Sequence, residues 1–224
     1  MVGNKSSKRI AELFRNAEWA KARAILNKEL AKHPENHWLI TQLGVTYYEE
    51  REYGEALKQF RKSYQIVSDC PLTLWNLAGT FAATSNYAQA AAIYIRLITE
   101  SVAPAADPCW ESGAWSASLK ADCYYRLGIC FSQLEKRQEA TSCFEQYLSL
   151  ISAGIDGSYT AEQAAQRLRK LSPSSAKVRA LKLAANKILA VPGIKRQHGN
   201  QFDIVWSTVN DKKTRTKSKM TSPN

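Results

Sequence analysis

The chain has 224 residues, of which 45% are hydrophobic, and its formal net charge is +11. No apolar run reaches the roughly 18 residues that a membrane span needs, and the first residues lack the apolar stretch of a secretory signal. The five cysteines are odd in number, and no pair has C-x-x-C spacing. We therefore expect a cytoplasmic protein with one main domain, no metal site and no cofactor.

The first regular feature along the chain is a small residue that recurs every 34 residues. Ala22, Ala56 and Ala90 hold these positions, and each is followed four residues later by a large apolar side chain. Small side chains let two helices approach closely, and the bulky residue one turn later fills the space beside the contact. The spacing therefore predicts stacked pairs of antiparallel helices.

This pattern divides the chain into four units, of which the first, residues 3–36, matches only in its second half. The full pattern occurs in the other three units. In residues 37–70 it is Leu43-Gly44-x-x-Tyr47 followed by Ala56-x-x-x-Phe60, and in residues 71–104 it is Leu77-Ala78-x-x-Phe81 followed by Ala90-x-x-x-Tyr94. In residues 121–154 it is Leu127-Gly128-x-x-Phe131 followed by Ala140-x-x-x-Phe144. A first unit with a polar outer helix is expected of a cap.

The pattern resembles the tetratricopeptide repeat family, whose consensus reads W-x2-L-G-x2-Y, then A-x3-F, then P. The resemblance covers roughly residues 3–154. It implies an all-α fold, a right-handed α-solenoid of helix–turn–helix repeats closed by C-terminal capping helices.

An insertion, residues 105–120, separates the third and fourth units. Asp107 and Pro108 form a plausible N-cap and first helical residue, so the following helix is expected to begin early. Trp110 and Trp115 are unusual in a connector. Two interpretations stay open: the two rings pack over the end of the third helix pair, or they form a lid over a binding groove.

Helical patterns continue after the fourth unit, over residues 155–193. Thr160-x-x-Gln163 is typical of a capping box, and it precedes an apolar face made by Ala161, Ala164, Ala165, Leu168 and Leu171. Ser172-Pro173 marks a stop and a second helix to about Ala190. We interpret this segment as a degenerate fifth helix pair that caps the solenoid.

The positive charge is confined to the C-terminal third. Residues 1–158 carry equal numbers of acidic and basic side chains, so residues 159–224 account for the whole +11. Residues 194–224 are expected to form a basic, largely disordered tail, whose cluster is Lys212, Lys213, Arg215, Lys217 and Lys219. The tail is either a solvated end or a surface for nucleic acid or another anionic partner.

The family resemblance implies a concave groove lined by the first helix of each pair. The matching positions carry four large aromatic residues and two polar ones: Trp38, Tyr48, Trp75, Tyr125, Asn76 and Arg126. We expect two of the four aromatic side chains to be exposed, with Gly79, Ala82 and Ala83 leaving room beside Trp75. The first unit offers Ser7 and Ala11 where chaperone-binding relatives place clamp residues, so a carboxylate clamp is not supported.

No catalytic motif accompanies these features: the sequence contains no G-x-S-x-G, H-E-x-x-H, Walker or G-x-G-x-x-G pattern. We therefore expect a non-enzymatic adaptor or scaffold that binds a peptide segment of a partner protein in an aromatic groove. The alternative is a nucleic-acid or anionic-surface binder that acts through the basic C-terminal third. The sequence leaves the oligomeric state open.

Overall fold

The computed structural model describes residues 4–99 and 113–171. Within these ranges the chain is all-α, with the helices α1 (Asn4–Arg15), α2 (Trp19–Leu30), α3 (His37–Glu49), α4 (Tyr53–Ile66), α5 (Pro71–Ala83), α6 (Tyr87–Thr99), α7 (Gly113–Gln133), α8 (Arg137–Ser152) and α9 (Ala161–Leu171). Each helix contacts the next one along the chain. The predicted all-α solenoid of helix pairs is thereby confirmed.

The first helix of each central pair is more deeply buried than the second. In α5 every residue from 71 to 81 is buried, and in α3 so are residues 39–46. The second helices α4 and α6 instead bury a stripe and leave their other face exposed. This difference follows from the sequence, because α3 and α5 are apolar nearly all round whereas α4 is amphipathic.

Close packing within a pair depends on a glycine in the first helix and an aromatic ring in the second. A Cβ atom at Gly44 would lie 2.5 Å from Cε1 of Phe60, and one at Gly128 would lie 2.9 Å from the same atom of Phe144. Both phenylalanine rings are fully buried. Each ring therefore occupies the space that a side chain at the glycine position would need.

The turn between the two helices of a pair has the same conformation in all four units. One residue in each turn has a positive φ: Ala17 at 55°, Arg51 at 67°, Ser85 at 62° and Glu135 at 59°. The backbone N–H that follows donates to a carbonyl five residues earlier, for example Asn86 to Phe81 at 2.8 Å. These bonds satisfy carbonyl groups that the helix end leaves unpaired.

Helix α7 begins at Gly113, inside the insertion, so the expectation of an early start is met. The helix contributes side chains to two hydrophobic cores. The core of the first three units contains Leu119, Cys123 and Leu127, and a second core, shared with α8 and α9, contains Tyr125. Trp115 lies in the first turn of α7 and packs against the first core. The long helix therefore connects the fourth unit to the third.

The predicted capping box at the start of α9 is confirmed. The backbone N–H of Gln163 donates to Oγ1 of Thr160 at 3.1 Å, and the backbone N–H of Thr160 donates to Oε1 of Gln163 at 2.7 Å. Ala164, Ala165 and Leu168 are buried, as the apolar face predicted.

Several predictions from the sequence concern residues outside the described ranges. They include the second helix of the fifth pair, the lid role of Trp110, and the tail residues Lys212, Lys213, Arg215, Lys217 and Lys219. These stay predictions.

Replacing Gly44 by alanine should destabilise the protein, because the added methyl group would overlap the buried ring of Phe60. We expect the free energy of unfolding to fall by about 1–3 kcal/mol in urea denaturation. Gly54→Ala is the matched control, since no atom lies within 4 Å of its Cβ position, and it should be neutral or stabilising. Equal midpoints for the two variants would contradict the contact.

Ser85→Gly should raise stability, because serine at positive φ crowds its own backbone and glycine does not. We expect a gain of about 0.5–1 kcal/mol in thermal or urea unfolding. Ser149→Gly, at an exposed position inside α8, is the control and should instead lose about 0.5 kcal/mol. A shift in the same direction for both variants would argue against strain at the turn.

Candidate functional site

The residues predicted to line the groove lie on three first helices. Trp38 and Tyr48 belong to α3, Trp75 and Asn76 to α5, and Tyr125 and Arg126 to α7. Helices α3 and α5 contact one another, and the guanidinium carbon of Arg126 lies 5.7 Å from the ring centroid of Trp75. The structure thus brings residues from α5 and α7 together.

The expectation that two of the four aromatic side chains are exposed is wrong. Tyr48, Trp75 and Tyr125 are buried, and Trp38 is half-buried. The space predicted beside Trp75 is taken by tyrosines. The Tyr94 ring meets Trp75 edge-on with centroids 5.5 Å apart, and the hydroxyls of Tyr48 and Tyr94 each lie 3.9 Å from the Cβ position of Gly79.

Tyr125 is covered by the fifth unit and by the loop that leads to it. The ring of Tyr159 stacks on it with centroids 3.8 Å apart and an interplanar angle of 9°. The Arg167 side chain of α9 donates from Nε to the Tyr125 hydroxyl at 2.9 Å and also lies over its ring. Tyr125 therefore anchors the fifth unit on α7.

Asn76 uses its side-chain donor within its own helix. Its Nδ2 donates to the carbonyl oxygen of Leu72 at 2.8 Å. Its amide oxygen and its second N–H are the side-chain groups that remain for a contact with a ligand.

Arg126 is a buried cation, with 6% of its surface exposed. Its guanidinium lies over the rings of Trp75 and Tyr159, at 5.7 and 5.5 Å from their centroids. No carboxylate within residues 4–99 and 113–171 forms an ion pair with it, and its Nε has no hydrogen-bond partner. Burial lowers the pKa of Arg126, but its interactions with Tyr159, Tyr94 and Tyr48, including a side-chain hydrogen bond with Tyr159, outweigh that effect and raise it, so the side chain stays charged.

Three tyrosine hydroxyls surround this cation. The hydroxyls of Tyr48 and Tyr94 are shielded from solvent and lack a hydrogen-bond partner in the described part of the chain. The Tyr159 hydroxyl lies within hydrogen-bonding reach of Arg126. Burial raises the pKa of all three phenols, so each stays neutral at physiological pH and can both donate and accept a hydrogen bond. We call Arg126 and these three tyrosines the Arg126 cluster.

Asp122 lies one helical turn before Arg126 and holds the loop between α8 and α9. Its carboxylate accepts from the backbone N–H of Ser158 at 2.8 Å and from the Ser158 hydroxyl at 2.5 Å. Burial raises the pKa of Asp122 to about 6, although the Ser158 bonds and the positive charge of Arg126 act in the opposite direction. The loop bearing Tyr159 is also tied by Tyr147, whose hydroxyl donates to the Tyr159 carbonyl oxygen.

Sequence reasoning missed Tyr94, Tyr159 and the role of Asp122. For Tyr94 a signal existed, because the equivalent positions of the second and fourth units carry phenylalanine and the hydroxyl therefore breaks an apolar pattern. Tyr159 reaches the site from a loop outside the repeat register, so spacing could not have found it. Asp122 lies close to the predicted groove residues Tyr125 and Arg126 along the chain, but its burial was not foreseeable from sequence.

Among the described residues, no group of three or more histidine, cysteine or acidic side chains could hold a metal ion. The same residues include no helix that is both long and apolar enough to cross a membrane.

Comparisons with known proteins agree with this architecture. Residues 121–153 match the model of the tetratricopeptide repeat family. MamA from Desulfovibrio magneticus RS-1, in a structure that begins at its residue 41, superimposes with a TM-score of 0.59 at 14% identity, and the match covers 84% of this chain and 96% of that MamA chain. The nearly identical TPR-like repeats of a Podosopora anserina protein give 0.61 at 11% identity, covering 83% of this chain and 94% of theirs. At these identities the likeness concerns the fold. No curated protein matches the chain by sequence.

Asp122→Asn should change how stability depends on pH. A carboxyl group whose pKa is raised from 3.8 to about 6 by folding stabilises the protein most below pH 4 and loses that contribution as the pH rises through 6. The asparagine variant keeps an acceptor for Ser158 and does not titrate. Its stability relative to the native protein should therefore rise by about 2 kcal/mol between pH 4 and pH 7 in urea unfolding.

Asp156→Asn is the control variant, because it removes one exposed carboxylate from the same loop and shows the effect of that charge alone on stability. A difference between Asp122→Asn and the native protein that stays constant across this pH range would contradict a buried, titrating Asp122.

Proposed function

We propose that this chain is a tetratricopeptide repeat protein and a non-enzymatic scaffold that binds a peptide segment of a partner protein along its first helices. Trp38 carries the proposal. It is the half-buried member of the four predicted groove aromatics, so part of its ring is accessible to a ligand. Large aromatic side chains provide much contact area at low entropic cost, which suits them to anchoring a bound peptide.

The remaining groove residues support the same proposal. Tyr48 and Trp75 form a continuous apolar floor with the buried residues of α3 and α5, and a floor of this kind is rigid. The half-buried Ala82 and the exposed Ala83 at the end of α5 carry small side chains, so a ligand chain can approach α5 there. A rigid apolar surface with small residues beside large ones favours an extended or helical peptide.

The competing proposal places binding in the basic C-terminal third, residues 159–224. Within the described part of that segment, Arg169 pairs with Glu162 at 2.8 Å and Arg167 covers Tyr125. These two cations are thus used in structural contacts, and no described feature favours nucleic acid over protein as the partner. The two proposals differ in salt dependence, because phosphate contacts weaken steeply with salt whereas an aromatic groove does not.

The test starts from a random dodecapeptide library displayed on phage and panned against the full chain. The dissociation constant of an enriched peptide is then measured by fluorescence anisotropy. We expect Trp38→Ala to weaken binding by about tenfold or more, as for a truncated aromatic anchor. Trp19→Ala is the matched control: Trp19 is also half-buried and packs on Phe14, but it lies on the second helix α2, so binding should stay within about twofold of native.

Three outcomes would overturn the groove proposal. The library could yield no enriched peptide, or the two tryptophan variants could bind equally well. Binding could also survive Trp38→Ala and fall steeply with salt, and this result would transfer the function to the basic third.

A further inference from the structure

The loop between α8 and α9, residues 153–160, lies over the fourth unit's part of the predicted groove. It contacts Tyr125 and Arg126, the two groove residues that the sequence predicted on α7. Within the loop Ile155 and Tyr159 are half-buried, and the other residues are exposed. The loop is therefore a surface segment that covers residues expected to meet a partner.

Tyr159 makes the contacts of a bound ligand. Its ring stacks on that of Tyr125 with centroids 3.8 Å apart, and the guanidinium of Arg126 lies 5.5 Å from its centroid. Its hydroxyl lies within hydrogen-bonding reach of Arg126. Its backbone N–H donates to the Tyr147 hydroxyl at 3.2 Å, and its carbonyl oxygen accepts from the same hydroxyl. Side chains of α7 and α8 thus hold both the ring and the backbone of this residue.

The two preceding residues extend these contacts. The backbone N–H and the hydroxyl of Ser158 donate to the two carboxylate oxygens of Asp122, at 2.8 and 2.5 Å. Gly157 passes so close to α8 that a Cβ atom there would overlap the Tyr147 hydroxyl and lie 2.7 Å from Cδ1 of Ile151. The helices therefore recognise three consecutive residues: a glycine, a serine and a tyrosine.

We propose that Gly157-Ser158-Tyr159 is an internal ligand that closes the fourth unit's part of the groove, and that a partner segment with the same Gly-Ser-Tyr chemistry displaces it. The proposal deepens the function proposed above, and it rests on that function for the nature of the partner. The contacts support it because groups outside the loop bind the ring, both backbone N–H groups, the carbonyl and the serine hydroxyl. None of these contacts requires the tripeptide to be joined to α8 and α9.

Release of the tripeptide leaves the attachment of α9 in place. The helix begins with its own capping box, Thr160 with Gln163, and Arg167 donates to the Tyr125 hydroxyl at 2.9 Å. The loop also contains Gly154 at a φ of 88°, a residue type that changes backbone conformation at little steric cost. The loop can therefore move while α9 stays docked on α7.

The internal ligand competes with any separate peptide. Because the loop is tethered at both ends, its effective concentration at the site is on the order of millimolar. The native chain should therefore bind a Gly-Ser-Tyr segment weakly. Changes that weaken the loop's own contacts should increase the affinity for such a segment.

The experiment uses a fluorescent synthetic peptide with the sequence of residues 154–162, and it measures binding to the full chain by anisotropy. We expect the double variant Ser158→Ala with Tyr159→Ala to bind the peptide at least tenfold more tightly than the native chain. A peptide with phenylalanine in place of the tyrosine should bind this variant about threefold more weakly, and one with alanine tenfold or more, because the ring supplies the stacking contact.

The matched control is Ser85→Ala with Tyr87→Ala. It removes an exposed serine and a half-buried tyrosine at the start of α6, outside the loop. Its affinity for the peptide should stay within twofold of native.

Hydrogen exchange on the native chain keeps the test decisive if the double variant folds poorly. The amides of Ser158 and Tyr159 are hydrogen-bonded to Asp122 and Tyr147, so they should be protected. Saturating peptide should raise their exchange rates by fivefold or more, whereas the amide of Gln163, bonded within the capping box, should be unchanged.

The internal ligand would be overturned by equal affinity of the native chain and the double variant, by equal binding of the three peptides, or by unchanged exchange at Ser158 and Tyr159. These measurements use the loop peptide and not the dodecapeptide library, so the two proposals fail separately. A library without enriched peptides, together with a loop peptide that binds as expected, would remove the Trp38 anchor and retain the internal ligand. The opposite pair of results would retain Trp38 alone.

Discussion

The fold depends on the close approach of the two helices within a unit, where a glycine faces a buried phenylalanine ring. At Gly44 and Gly128 even one added carbon would come within 3 Å of Phe60 and Phe144. Because the backbones approach so closely, the first helix is enclosed by its neighbours and must be apolar on nearly every side. This requirement explains why α3 is buried without interruption from residue 39 to residue 46. Polar side chains on the first helices are then buried as well, and each of them needs a partner.

The third unit departs from this arrangement in a way that creates the Arg126 cluster. Ala78 replaces the glycine, and Tyr94 replaces the phenylalanine. The Tyr94 hydroxyl consequently reaches the neighbourhood of Gly79, one residue further along α5, where the Tyr48 hydroxyl also lies. A single oxygen atom at a position that is apolar in the other central units thus turns a packing contact into a polar site. Burial of that oxygen without a partner among the described residues costs stability.

Much of the fold could be predicted from the sequence, because the repeat period and the capping residues are local signals. Ala22, Ala56 and Ala90 fixed the register of the helix pairs, and Thr160 with Gln163 marked the start of α9. Exposure within the groove could not be predicted in the same way. The burial of Trp75 and Tyr125 depends on tyrosines that arrive from another helix and from a loop, and a periodic pattern contains no information about such distant neighbours.

The partners of the polar residues were also beyond sequence reasoning. Asp122 and Ser158 are far apart along the chain, and their hydrogen bonds depend on how the loop after α8 folds back over α7. The pattern placed Arg126 on the correct helix, but its lack of a counter-ion among the described residues became evident only from the three-dimensional arrangement.

The identical turns within the four units restrict where residues can be inserted into this chain. Each turn joins its two helices through a hydrogen bond of fixed span, closed around one left-handed residue such as Ser85 or Glu135. An added residue inside such a turn would break that bond and shift the second helix against the first. The junctions between units carry no such geometric requirement, and the insertion occurs at one of them, after α6 and before the regular part of α7. New surface can therefore be acquired between units at little cost, while the interior of each unit keeps a constant length.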